Sequence, residues 1–440
     1  MTRARSRPAV VVWFVAVSSA AGVAAAVSPG AAAAQLIPRN EDCVECHLDL
    51  EDERLAAPAR EYVNDIHIEH GFTCLSCHGV IPAGEHGGSI DPELGFIAKP
   101  SRAQIPVLCG SCHSDITFMK DYDPSMRTDQ LAEYWTSGHG RALQQGDDDV
   151  ATCVSCHPAH SIQPPSDPES SVYPLRVPGL CASCHGDPEV MEGHDLPTDQ
   201  LEGYRNSVHG RQLLEEEDVS APACNDCHGN HGAAPPGVAS VERVCGQCHS
   251  VMADHLSESG HDVIFSEADL PGCATCHGSH EIHRPGDADL DRVSEEVCAE
   301  CHDPGTPEAA VFPAMRAMID SLLIGQERAE AALERAEDVG MEVSQAQFEL
   351  QEATNALTQA RTAIHAMRLA TVRTEIEGGL EIVRTSLERA EESLWEHRYR
   401  RIGLAVSAVF VVLLIIGIAL KVRQIERRQR RRDAGSQSQA

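Results

Sequence analysis

All eighteen cysteines of this 440-residue chain fall in nine copies of one pattern, Cys-x-x-Cys-His. The copies pair Cys43 with Cys46, Cys74 with Cys77, Cys109 with Cys112, Cys153 with Cys156 and Cys181 with Cys184. Four more pair Cys224 with Cys227, Cys245 with Cys248, Cys273 with Cys276 and Cys298 with Cys301. The histidines that close them are His47, His78, His113, His157, His185, His228, His249, His277 and His302. The pattern is the attachment site of c-type haem, in which two thiols form thioethers to the porphyrin and the adjacent imidazole sits beneath the iron. A disulfide scaffold gives no reason for a histidine after every second cysteine, and structural zinc uses paired Cys-x-x-Cys knuckles without one. One copy is a weak signal. Nine copies that consume every cysteine predict nine covalently bound haems c, with the nine histidines as proximal iron ligands.

The flanks suggest where such a chain would work. Arg3, Arg5 and Arg7 precede an apolar stretch from Ala9 to Val27, and Ala32, Ala33 and Ala34 offer a small-residue cleavage site, so residues 1–34 read as a secretory signal. Haem attachment of this type belongs to the far side of the bacterial inner membrane, which agrees with export. A second apolar run, Ile402 to Leu420, has nineteen residues and no charge. At 1.5 Å per residue it just crosses a bilayer core of about 30 Å. Lys421, Arg423, Arg427, Arg428, Arg430, Arg431 and Arg432 follow it, as cytoplasmic flanks do. The expected layout is a signal over 1–34, a nine-haem domain over 35–307, a helical stalk over 308–400, a transmembrane helix over 401–421 and a basic cytoplasmic tail over 422–440. The haem domain would face the periplasm.

Net charge is −32 although both ends are basic, which disfavours nucleic acid and suits a basic redox partner. Aromatic residues make up only 4% of the chain, too few for a conventional core of several hundred residues. The fold expected is mostly α and irregular, a haem-packed domain with little regular secondary structure, then a helical hairpin or coiled coil and one membrane span.

An internal repeat orders the haem region. Thr128-Asp129-Gln130-Leu131, followed by Tyr134, Ser137, His139, Gly140 and Arg141, returns seventy residues later as Thr198-Asp199-Gln200-Leu201 with Tyr204, Ser207, His209, Gly210 and Arg211. Tyr62 and His67 fit the same scheme before Cys74, and Ser259 and His261 fit it before Cys273, with Leu256 in the tyrosine's place. Four repeats thus take eight motifs in pairs, and the motif at Cys298 stands alone.

The repeat also sorts the surplus histidines. An iron between two imidazoles is six-coordinate and of low potential, whereas a distal methionine raises it. His67, His139, His209 and His261 recur at one place in every repeat and are candidate distal ligands. His160, His231 and His280 follow their own motif by three residues, with His86 as a looser counterpart. They lie too close to their own proximal ligand to reach its opposite face, and point to a neighbouring haem. His70, His194, His255 and His283 are left as ligands or plain surface residues. The ninth haem, at His302, has to draw on these or on the helical region.

From Val311 to Arg400 the composition turns to alanine, glutamate, arginine, leucine and glutamine. Leu350, Ala353, Leu357, Ala360, Ile364 and Met367 form one heptad seam, and Leu380, Val383, Leu387, Ala390 and Leu394 another. Breaks are expected at Asp338-Val339-Gly340 and at Gly378-Gly379, giving two antiparallel helices and a third that runs toward the membrane. The region reads as a stalk or as a surface for another subunit. It also holds His365, a further candidate distal ligand, with Arg361 and Arg368 on the same face to pair with haem propionates. Met315 and Met318 suit a helix core.

The Cys-x-x-Cys-His array, the Ser-x-His-Gly elements at Ser137 to Gly140 and Ser207 to Gly210, and the Cys-His-Gly-x-His elements at His228 to His231 and His277 to His280 resemble the low-potential multihaem c-type cytochromes. These include the class III and small tetrahaem proteins and the membrane-attached cytochromes of anaerobic respiration. The resemblance covers residues 41 to about 303 and implies closely stacked haem pairs that carry electrons. Quinol-oxidising members carry an N-terminal helix, whereas this chain joins an export signal to a C-terminal span, a departure that speaks against direct quinol oxidation. The first functional expectation is an electron carrier between a membrane, quinone-linked redox complex and a soluble or outer-surface partner. The alternative is a multihaem oxidoreductase acting on nitrite, hydroxylamine or a similar nitrogen or sulfur compound, which would need one iron with an open site. No catalytic residue is assigned. The helices could also mediate association with another subunit.

Overall fold

The computed structural model describes residues 40–79, 95–233, 244–268 and 270–437. The expected signal segment and His86 lie outside them. Among the described residues the chain is helical and irregular, without a strand. It divides into two compact units, one of residues 1–60 and 71–99, the other of residues 61–70 and 100–440.

Most motifs sit on short helical turns, such as Cys74–His78, Gln104–His113, Val177–His185 and Cys224–His228. One turn places residues three apart on the same face, so both thiols look one way and the next imidazole follows them. The inner residues of the motif help to start these turns. Thr73 N–H donates to Ser76 Oγ (2.9 Å), Thr152 N–H to Ser155 Oγ (3.0 Å) and Ala223 N–H to Asp226 Oδ2 (2.8 Å). The motif-bearing region has a thin side-chain core. Among the described residues its one distinct cluster of buried apolar side chains is Val177, Leu213 and Ala223.

The larger unit ends in a three-helix bundle of Val311–Asp338, Ser344–Ala363 and Leu369–Gln437. Leu322 packs at Gly379, and Gly325 at Leu380 and Val383, so the first and third helices run in parallel. Gln326 Nε2 donates to Thr354 Oγ1 (3.1 Å) and Arg389 pairs with Glu349, which sets the second helix antiparallel to both. Met315, Ile319, Leu322, Leu333, Leu350, Ala353, Leu357, Val372, Val383 and Ala390 form the buried seam. The heptad positions in the second and third helices thus face the core, as does Met315, with Met318 partly buried beside it.

One expected break lies elsewhere. The first helix does end near Gly340, which takes the left-handed conformation (φ 81°) that closes helices. The second ends not at Gly378-Gly379 but at Ile364–Arg368, where Met367 is left-handed (φ 51°). Gly379 is buried inside a continuous third helix because a Cβ there would stand 2.8 Å from Leu322. The glycine serves close helix approach rather than chain reversal.

Arg316 and Arg361 join the bundle to the motif-bearing region. Arg361 holds the Asp287 carboxylate with two hydrogen bonds (2.9 and 2.6 Å), and Arg316 Nη1 donates to the Asp287 carbonyl (3.1 Å) and to Asp291 (3.2 Å). The third helix runs on through Ile402 to Leu420, a stretch with high mean hydropathy whose large apolar side chains are exposed. By length and composition it can cross a membrane.

Candidate haem-binding site

The thiols reproduce the pairing read from the repeat. No disulfide joins any of the eighteen. The first cysteines of the two motifs of each repeat meet within hydrogen-bonding reach: Cys43 with Cys74, Cys109 with Cys153, Cys181 with Cys224 and Cys245 with Cys273. In the last three pairs the shared hydrogen bond raises Cys109, Cys181 and Cys273 and lowers Cys153, Cys224 and Cys245. Successive repeats are also neighbours, since Cys156 feels the charge of Cys181, Cys227 that of Cys245, and Cys276 that of the lone Cys298. The motifs from Cys109 onward are therefore neighbours in succession. Among the described residues no three side chains of histidine, cysteine, aspartate or glutamate converge as a metal site made of protein donors alone.

The Ser-x-His-Gly element is built for positioning. Helix Gln130–Thr136 ends at Ser137, whose buried Oγ accepts from Gly140 N–H (2.9 Å) and donates to the Tyr134 carbonyl (2.6 Å). Gly140 lies so close to Tyr134 that a Cβ would fall 2.0 Å from its carbonyl oxygen. His139 is fixed between the two. Tyr134 Oη then donates to the Ala151 carbonyl (2.9 Å), two residues before the next motif. The copy seventy residues on repeats each contact: Ser207 with Gly210 and Tyr204, and Tyr204 Oη with the Pro222 carbonyl (2.8 Å). A backbone hydrogen bond beside His67, His139 and His209 ties each to the following repeat, from Ile66 to Ile162 (2.8 Å), Gly138 to Ala233 (3.0 Å) and Val208 to Ile282 (2.8 Å).

Each of seven histidine ring pairs joins one motif histidine to one outside the motifs. Their centroids are 5.9 to 6.3 Å apart: His67 with His113, His139 with His185, His157 with His231, His209 with His249, His228 with His280, His261 with His302, and His277 with His365. A metal held by two imidazole nitrogens at about 2.0–2.1 Å each puts ring centroids about 6 Å apart. Three pairs are near parallel, at 17° for His157 and His231, 21° for His228 and His280, and 26° for His277 and His365. Parallel rings at 6 Å are too far apart to touch face to face, and a metal ion would fit between them. The donor sets fit c-type haem.

The ligand states suit this role. Burial pushes His113, His139, His157, His185, His209, His231, His261, His277, His280 and His365 down, favouring the neutral imidazole that binds metals. Several rings are also oriented through Nδ1, which leaves Nε2 for iron. His365 Nδ1 donates to the Thr362 carbonyl (2.9 Å), His47 to Leu55 (2.9 Å) and His78 to Ile97 (2.7 Å). His67 Nδ1 lies 2.8 Å from Asp65 Oδ1. The sequence reading missed Asp65, although it stands two residues before its histidine, as Ser137, Ser207 and Ser259 do. Burial works to raise the Asp65 carboxyl, but hydrogen bonds from His67 and the Ile162 N–H outweigh it and hold the group below the usual carboxylate range.

His67, His139, His209 and His261 each face the first motif histidine of the next repeat, and His261 thereby faces His302. His231 and His280 face the second motif histidine of the preceding repeat. His160 takes the same place in its repeat, and the Ile162 carbonyl beside it accepts the first of the three recurring backbone bonds. His365 faces His277 rather than His302. The lone motif brings no Cys-His-x-x-His element, and the turn Ile364–Ala366 presents a histidine instead. Arg361 and Arg368, expected near propionates, bind Asp287 and the Glu258 carbonyl (2.7 Å). Of the unassigned histidines, His70 packs edge-on against Tyr122, while His194, His255 and His283 stand nearest Asp147, Glu258 and Glu281.

No protein-family model, curated protein or solved structure matches this chain.

Proposed function

We propose that this chain is a membrane-anchored, periplasmic nine-haem c-type cytochrome that passes electrons along a line of bis-histidine haems. The observation that carries the reading is the set of seven ring pairs, each matching a motif histidine with a non-motif histidine across the width of one iron. When bound, haem supplies a one-electron iron couple whose potential two imidazoles hold low. The chain's own residues fix the geometry. Neighbouring thiols would set the spacing between sites, paired imidazoles would hold each iron, and Ser137, Ser207, Asp65 and Thr362 hold the rings in place.

The same pairing argues against a reductase for nitrite or hydroxylamine, because an open iron needs a face that no side chain fills. The anchor rests on the exposed apolar stretch from Ile402 to Leu420 and the basic residues after it. Trp395 and Tyr399, stacked one turn apart (5.4 Å, 13°) just before the span, suit the membrane interface. The test is the intact mass of the chain expressed with a c-type maturation system. A gain of nine haems per chain is expected, and an apoprotein mass would overturn the reading.

A further inference from the structure

We infer that the bundle is a standoff that keeps the haem sites tied to it, those of His277 and His302, out of reach of quinol in the bilayer, so that their membrane-side partner is a protein with a basic face and its own raised redox group. The inference rests on the cytochrome reading above. The third bundle helix is continuous from Leu369 to Gln437, and Leu369–Arg401 precedes the apolar span. Those 33 residues are about 50 Å long at 1.5 Å per residue. A tilt of about 40°, the upper end for spanning helices, still leaves a height near 40 Å.

The stalk cannot fold down. Its first two helices pack along the third, and Leu322, Gly379 and Ala356 lock them at mid-length. The ties between the head and these helices lie at the end away from the span: Asp287 on Arg316 and Arg361, Glu258 on Arg368, and His277 against His365. The far end, at Val339–Val343, is the one nearer the span. Electron tunnelling decays exponentially with distance and fails across such a gap.

Charge identifies the partner's chemistry. Residues 1–34 carry +3 and residues 402–440 carry +5, so the stretch between them carries −40. Propionates would add to this. A partner that approaches it productively presents lysine or arginine around its own redox centre.

The full chain in a supported bilayer tests the inference by neutron reflectometry, which needs no redox activity. A dense head layer separated from the lipid by a thin stalk layer of about 40–50 Å is expected. Head density against the headgroups would overturn it. A second assay uses dithionite-reduced protein in liposomes and two quinones with one headgroup, one long-tailed and confined to lipid, one tailless and soluble. Each quinone takes one electron from each of two ferrous haems, and two protons, to become quinol. Oxidation by the tailless form should be faster by orders of magnitude, and equal rates would overturn the standoff. A chain without a haem spectrum would sink the cytochrome reading and this partner with it, while the measured height would still report on the stalk.

Discussion

The ring of His365 lies 6.1 Å from that of His277 and within 26° of parallel, although one belongs to a turn of the helical bundle and the other to a cysteine motif. Both imidazoles are buried, and the Thr362 carbonyl fixes the tautomer of His365. The bundle thus completes the last repeat, which has no following Cys-His-x-x-His element to do so. His365→Ala is expected to convert one haem of nine to a high-spin form, read by magnetic circular dichroism. His365→Met should restore a six-coordinate haem at higher potential. An unchanged spectrum in His365→Ala would remove His365 from the ligand set.

Asp65 and His67 form the clearest supporting contact, a buried carboxylate on the ring nitrogen away from iron (2.8 Å). Such a partner raises the ligand's basicity and favours the oxidised metal. Asp65→Asn should therefore raise the midpoint potential of one haem in a spectroelectrochemical titration, leaving the others in place. A lowered or unmoved potential would contradict this role.

Tyr134 and Tyr204 act as struts rather than ligands. Tyr134→Phe or Tyr204→Phe keeps the ring but strands the Ala151 or Pro222 carbonyl, at a cost of about 1 kcal/mol. Thermal melts should show this loss with haem content unchanged. Gly140→Ala places a methyl against the Tyr134 carbonyl and should cost more, about 1–3 kcal/mol, with a shift in the haem spectrum as His139 is displaced.

Two adjacent glycines should respond with opposite signs. Gly378 is exposed with open space around it, so Gly378→Ala is expected to stabilise the helix by about 0.5–1 kcal/mol. Gly379 faces Leu322 and Ala356, and Gly379→Ala should destabilise by about 1–3 kcal/mol. Denaturant titration of the bundle's helical signal distinguishes them, and equal effects would contradict the packing described.

Much of this was legible from spacing alone. The four motif pairs of the repeat return as four thiol contacts, six of the recurring histidines face motif histidines, and the heptad positions form the bundle core. What spacing could not reveal is which ring faces which. Neighbouring repeats interlock, so His67, His139, His209 and His261 each face a motif histidine some forty residues away, and no local pattern encodes that reach. The misplaced helix break has a similar cause. Gly378-Gly379 reads locally as a breaker, but packing against Leu322 overrides the propensity. Asp65 was overlooked because it fills the serine position of the element with a different residue type.

Electron paramagnetic resonance of the oxidised, purified chain tests the central claim most directly. Low-spin signals alone are expected. The near-parallel pairs of His157, His228 and His277 should give rhombic spectra, and the perpendicular His67 and His113 pair, at 83°, a strongly anisotropic one. A substantial high-spin signal that shifts on adding nitrite or hydroxylamine would contradict a line of bis-histidine haems and point to an open catalytic iron.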